Sequence, residues 1–161
     1  MYWKILNKYH DHLPLDPRTL LKYSKNLNIL QHSVEPGYYV HYGIKNGIIS
    51  IIKNIPVDIA LSFSSLSIQA NIDGLPLHQS TVKGFWPILV QIITLPNSPV
   101  FTVGLYYGEK KPLSSNDFLA DFVRELVELL AHGLDYQNHH FNIIFQIFCC
   151  DTPAQAFIKN I

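Results

Sequence analysis

Two stretches of this chain each run into an aspartate: SIQANID, ending at Asp73, and HFNIIFQIFCCD, ending at Asp151. Short apolar runs bounded by turn residues predict buried strands. A carboxylate at the C-terminal end of such a strand stands where open α/β sheets bind ligands. Between the two lie strand-like runs over 85–94 and 100–108 and a helix-like run over 114–132. The order strand, strand, strand, helix, strand predicts an α/β fold, and it is similar to that of a core whose first and fourth strands are parallel neighbours. Asp73 and Asp151 would then project side by side.

Local chemistry marks the boundaries. Gly74-Leu75-Pro76 ends the first run with a residue tolerant of positive φ and a ring that fixes φ. Pro87 falls near the start of the second, where a missing N–H is tolerated, and residues 95–99, LPNSP, read as a turn. Ser114 to Asp117 offer helix caps, and Phe118, Phe122, Leu126 and Leu129 build one apolar stripe. Gly133 suits the position after the helix, and residues 134–140, LDYQNHH, read as a polar loop. The unbroken apolar run FNIIFQIFCC fits a central strand covered on both faces, and Asp151-Thr152-Pro153 opens a second helix. Earlier, Asp16-Pro17 starts a short helix ending near Asn26 or Asn28, Glu35-Pro36-Gly37 makes a turn, and residues 38–43, YYVHYG, alternate like a strand. Residues 44–54 suit a helix or a strand equally, with Gly47 interrupting the former.

This chain order is that of the ribonuclease-H-like core. The expected fold is therefore an incomplete ribonuclease-H-like mixed sheet over residues 66–161, with residues 1–65 as an N-terminal extension of mixed helix and strand.

Composition narrows the function. At 48% apolar and 15% charged over 161 residues, the chain has enough core for one domain and argues against disorder. Twelve basic and twelve acidic residues cancel, which counts against a self-sufficient DNA-binding module. A catalytic core that relies on another domain for grip is still allowed. The adjacent Cys149 and Cys150 cannot form a disulfide framework, so buried reduced thiols in an intracellular protein are expected. The start, MYWKILNKYH, lacks the apolar run of a signal peptide. No run approaches the roughly 18 apolar residues of a membrane span, so no membrane partner is expected.

Hard divalent cations prefer oxygen donors, and phosphodiester chemistry uses carboxylate clusters that hold Mg²⁺ or Mn²⁺. Asp73 and Asp151 are the candidate ligands. Each also has a plain structural explanation, since Asp73-Gly74 is a turn dipeptide and Asp151-Thr152-Pro153 a helix start. A phosphatase nucleophile motif fails because Asn71 stands where its first aspartate is needed. His139-His140 suits a solvated loop, and His10 and His12 lack a partner at zinc spacing. Lys110-Lys111 reads as solvation of a linker and Trp86 as packing.

The segments LPLDPRTLL (13–21), YYVHYGIKNGI (38–48), NIDGLPLHQS (71–80), FWPIL (85–89), GLYYGEKKP (104–112), FLADFVRELVELL (118–130) and CDTPAQAFIK (150–159) occur in order. Together they resemble the transposase-domain proteins of invertebrate DNA transposons. The resemblance spans about residue 13 to the end. It implies Asp73 and Asp151 as the first two catalytic and metal-ligating positions of a DDE/D set, with Mg²⁺ or Mn²⁺ as cofactor, DNA as the partner of the full-length parent, and a nuclear setting. Thr152 and Gln155 depart from the family, which more often has Ala and Arg there. Family members carry a third acid further on, and this chain stops ten residues after Asp151.

The expectation is a truncated, inactive transposase-like fragment whose parent activity is metal-dependent DNA cleavage and strand transfer. The alternatives are a non-enzymatic protein-interaction module, self-associating through an exposed sheet edge, or a domesticated transposon remnant.

Overall fold

The computed structural model describes residues 31–76 and 84–159. The helix expected from Asp16, His10 and His12, residues 13–21 of the resemblance and residues 77–80 lie outside them. The elements are β1 (Gln31–Val34), β2 (Gly37–His41), α1 (Ile44–Ile52), α2 (Val57–Ala60), β3 (Ser65–Ile72), β4 (Leu75–Pro76), β5 (Gly84–Ile92), β6 (Phe101–Gly108), α3 (Ser115–His132), β7 (Leu134–Tyr136), β8 (His139–Cys150) and α4 (Thr152–Lys159). The architecture is mixed α/β.

The strands form one mixed sheet in the order β1-β2-β6-β5-β3-β8-β7, with β4 paired to β5. The pairing of β3 with β8 is parallel and the other pairings are antiparallel. The first and fourth strands of the expected core are thus parallel neighbours. The β1–β2 hairpin, turning at Glu35-Pro36, extends the sheet from the free side of β6.

The side chains explain which face is covered. In β3 the alternation is strict: Leu66, Ile68, Ala70 and Ile72 are buried, and the residues between them are half-exposed. Their partners Ile88, Val90 and Ile92 on β5 are buried too. Against this face packs α3, whose buried residues Phe118, Phe122, Leu126 and Leu129 are the stripe expected from the sequence. Phe118 is central, with ring centroids 5.8 Å from Tyr39, and 6.2 Å from both Tyr106 and Phe157. Burying each such ring stabilises the fold by roughly 1.5–3 kcal/mol. Ser114 caps α3 by accepting from the Asp117 N–H at 3.1 Å, and Gly133 ends it at φ 66°. Residues 44–52, ambiguous in sequence, are helical and bury Ile44, Ile48, Ile51 and Ile52 at helical spacing.

Two expectations about the fourth strand are corrected. Residues 134–140 are not a loop: β7 and the start of β8 form a hairpin, turned by Gln137 and Asn138 at φ 49° and 62°. Paired positive-φ residues are what a tight two-residue hairpin turn needs. Nor is β8 covered on both faces, because Ile144 and Ile147 are 43% and 53% exposed. On this outer face β3 and β5 carry polar residues. Gln69 Nε2 donates to Gln91 Oε1 at 3.0 Å, Gln91 Nε2 to the Ser98 carbonyl at 2.9 Å, and Asn71 Nδ2 to the Cys149 carbonyl at 2.9 Å. The thiols differ from expectation as well: Cys149 is exposed and Cys150 half-buried.

Candidate functional site

The register between β3 and β8 ends with Ile72 opposite Cys150. Asp73 and Asp151 are the next residue on each strand, so both backbones leave the sheet at one edge, on strands about 4.8 Å apart. Asp73 is half-buried and Asp151 exposed. Asp151 also caps α4: its Oδ1 accepts from the Ala154 N–H at 2.8 Å, and its carbonyl accepts from the Gln155 N–H at 2.9 Å. The helix-start explanation is therefore true of this residue, and Oδ2 is left for another partner. Gly74 lies against the Trp86 indole, where a Cβ would come within 2.9 Å of the ring. Trp86 in turn packs on Phe157 of α4 at 5.4 Å. That stack ties the Asp73 turn to the helix that Asp151 caps.

Two carboxylates at one sheet edge suit a hard cation by donor chemistry. Among the described residues, no group of three His, Cys, Asp or Glu side chains is placed to hold a metal ion. Asp73 and Asp151 are two oxygen-donor side chains, and they fall short of such a group of three. Gln155 is exposed.

The remaining sequence candidates have structural partners. His139 lies on β8 with Nε2 2.8 Å from the Phe63 carbonyl, and His140 Nδ1 is 2.7 Å from Asp135 Oδ1 across the hairpin. Lys111 stands over the Phe157 ring at 5.4 Å.

Sequence reasoning missed a polar cluster on the helix-covered side. The Glu125 carboxylate accepts from the backbone N–H groups of Ile44 (2.7 Å) and Lys45 (3.0 Å), and its Oε2 is 2.8 Å from His41 Nε2. With that nitrogen donating, His41 Nδ1 accepts from the Tyr39 hydroxyl at 3.1 Å. Burial acts to raise the Glu125 carboxyl, but the bonds from His41, Ile44 and Lys45 outweigh it and hold it below its usual value. Burial foremost, with the charges of Asp121 and Glu125 nearby, pushes the Tyr39 phenol well above its usual range. The cluster fastens α3 to the N-terminus of α1, a favourable place for a carboxylate. One signal was available: Glu125 directly precedes Leu126 at the margin of the apolar stripe.

No family model, curated protein or solved structure matches the chain.

Proposed function

We propose that this chain is a transposase-like core with a ribonuclease-H-like arrangement, which binds one divalent cation through Asp73 and Asp151 and does not cleave or join DNA by itself. The observation that carries the reading is the parallel pair β3–β8, whose last partners Ile72 and Cys150 are each followed by an aspartate at the same end of the sheet. The strand order β6-β5-β3-β8, with α3 between β6 and β8 in the chain, agrees with such a core. A bound Mg²⁺ or Mn²⁺ supplies charge neutralisation and Lewis-acid activation to a phosphodiester. Asp73 contributes a carboxylate from a turn braced by Trp86, and Asp151 contributes Oδ2 while Oδ1 stays on the Ala154 N–H. Two-metal displacement needs further donors, so strand transfer is not expected of the described residues.

The test is thermal unfolding with and without Mn²⁺. For a Kd of order 1 mM, about 10 mM Mn²⁺ adds ~1.4 kcal/mol by mass action, or about 3–5 °C in Tm for a domain of this size. Asp73→Asn and Asp151→Asn should each abolish the shift. Asparagine caps helices as well as aspartate does, so the second variant removes charge while keeping α4 in place. An unchanged Tm in wild-type protein, or an equal shift in both variants, rules the cation site out.

A second reading, self-association as an interaction module, is favoured by one observation. Residues 142–150 pair with β3 on one side only among the described residues, and Ile144 and Ile147 are exposed. The segment carries no charge, which leaves its edge without the usual guard against pairing with another chain.

A further inference from the structure

Beyond the β2–β6 pairing, the chain crosses the edge of the sheet to start α1. The N–H groups of Tyr42 and Gly43 both donate to the Val103 carbonyl, at 2.7 and 3.2 Å. Between α1 and the strands lies a groove of about 680 Å³, within the range of small-molecule sites. Its two walls differ. Pro87, Pro99, Phe101 and Leu105 form an apolar wall. The facing wall, from the helix and its C-terminal turn, sets the polar Asn46, Ser50 and Asn54, spaced four residues apart, beside Gly47, Ile51 and Ile55. The Asn46 amide donates to the Tyr42 carbonyl at 2.8 Å and the Asn54 amide to the Ser50 carbonyl at 2.7 Å. Those bonds fix the orientation of both amides, and each keeps a carbonyl oxygen and a second N–H for a ligand. No Asp, Glu, Lys, Arg or His is among the lining residues.

We propose that this groove is a binding site for an uncharged, planar nitrogen heterocycle, specifically a nucleobase. The apolar wall of Pro87, Pro99, Phe101 and Leu105 accepts the ring faces. The amide stripe matches the alternating donors and acceptors of a base edge, as Asn and Gln do in base recognition. The place is also apt: Pro87 precedes Ile88, the partner of Ile72, so the groove begins one strand away from the β3 end that carries Asp73. The choice of a nucleobase among planar heterocycles rests on the proposed function, whereas the capacity for an uncharged planar ligand does not.

The experiment is titration of the full chain with adenosine, guanosine, cytidine and thymidine, followed by ¹H–¹⁵N chemical shifts without divalent metal. The expected result is saturable binding of at least one nucleoside, with Kd of order 0.1–1 mM and shifts centred on α1 and β6. Ser50→Trp, which fills the groove, should abolish binding, and Asn54→Leu should weaken it about tenfold. Asn54 is exposed, so Asn54→Leu decides the matter if Ser50→Trp does not fold. No saturable shift, or equal binding to wild type and Asn54→Leu, overturns the proposal. So does p-cresol binding as tightly as the nucleosides, which would make the groove an unselective apolar cleft. Because the titration is made without divalent metal, its failure is read apart from the Mn²⁺ unfolding test of the cation site.

Discussion

Glu125 joins two helices and a strand with one carboxylate. Its side chain is 21% exposed and accepts from His41, Ile44 and Lys45. Hydrogen bonds to a charged acceptor contribute roughly 1.5–3 kcal/mol each when isolated, and the two backbone donors are the first turn of α1, otherwise uncapped by a side chain. Glu125→Gln keeps the shape and loses the charge, and should cost about 2 kcal/mol at pH 7 in urea unfolding. The pH dependence follows from the depressed carboxyl. A group whose folded value lies below its unfolded value of 4.5 contributes stability that is present above that pH and lost as pH falls below it. The gap between wild type and Glu125→Gln should therefore hold from pH 7 to about 5 and close below about 4. A gap independent of pH would mean that the charge of the Glu125 carboxylate is not what stabilises the cluster.

At the scale of elements, α1 sits where it does because of Gly47. A Cβ there would lie 2.0 Å from the Phe101 ring, so only glycine lets helix and strand approach this closely. Gly47→Ala should destabilise the wild-type protein by about 1–2 kcal/mol through overpacking. In a Phe101→Ala background the same change should instead stabilise by about 1 kcal/mol, the helical advantage of Ala over Gly. A double-mutant cycle in urea reads both signs, and the same sign in both backgrounds would break the explanation. Gly47 also marks where the sequence stops being legible. Read alone it interrupts a helix, and its purpose depends on a residue 54 positions away. The elements that were legible carry their evidence locally. Ser114, the Phe118–Leu129 stripe and Gly133 define α3 without tertiary information, and the apolar runs ending at Asp73 and Asp151 define β3 and β8. The β7–β8 hairpin was hidden because Asp135, Gln137, Asn138 and two histidines make LDYQNHH look solvated. Its real signal is Gln137-Asn138, a pair able to take positive φ. The Glu125 cluster spans 81 residues to Ile44, and the groove depends on how α1 crosses the sheet edge. Neither leaves a periodic trace in the chain.

For the whole molecule, the decisive asymmetry lies between the two faces of the sheet. One face is closed by α3 and α4, while the other mixes an amide network with the exposed Ile144 and Ile147. The outer flank of β8 from Asn142 to Cys150 lacks a strand partner among the described residues, and its side chains are uncharged. A second copy can pair antiparallel along this flank about a two-fold axis, a self-complementary arrangement, and bring its own Ile144 and Ile147 beside those of the first. An interface without charges is not screened by salt. Sedimentation should then show a concentration-dependent dimer whose affinity is little changed between about 50 and 500 mM NaCl. Ile147→Lys puts a charge on the strand in the manner of natural edge protection and should give a monomer. The site is exposed, so Tm should change by no more than a few degrees. A wild-type chain that stays monomeric at about 100 μM, well above a micromolar Kd, removes the self-association reading and leaves the outer face of β8 simply hydrated.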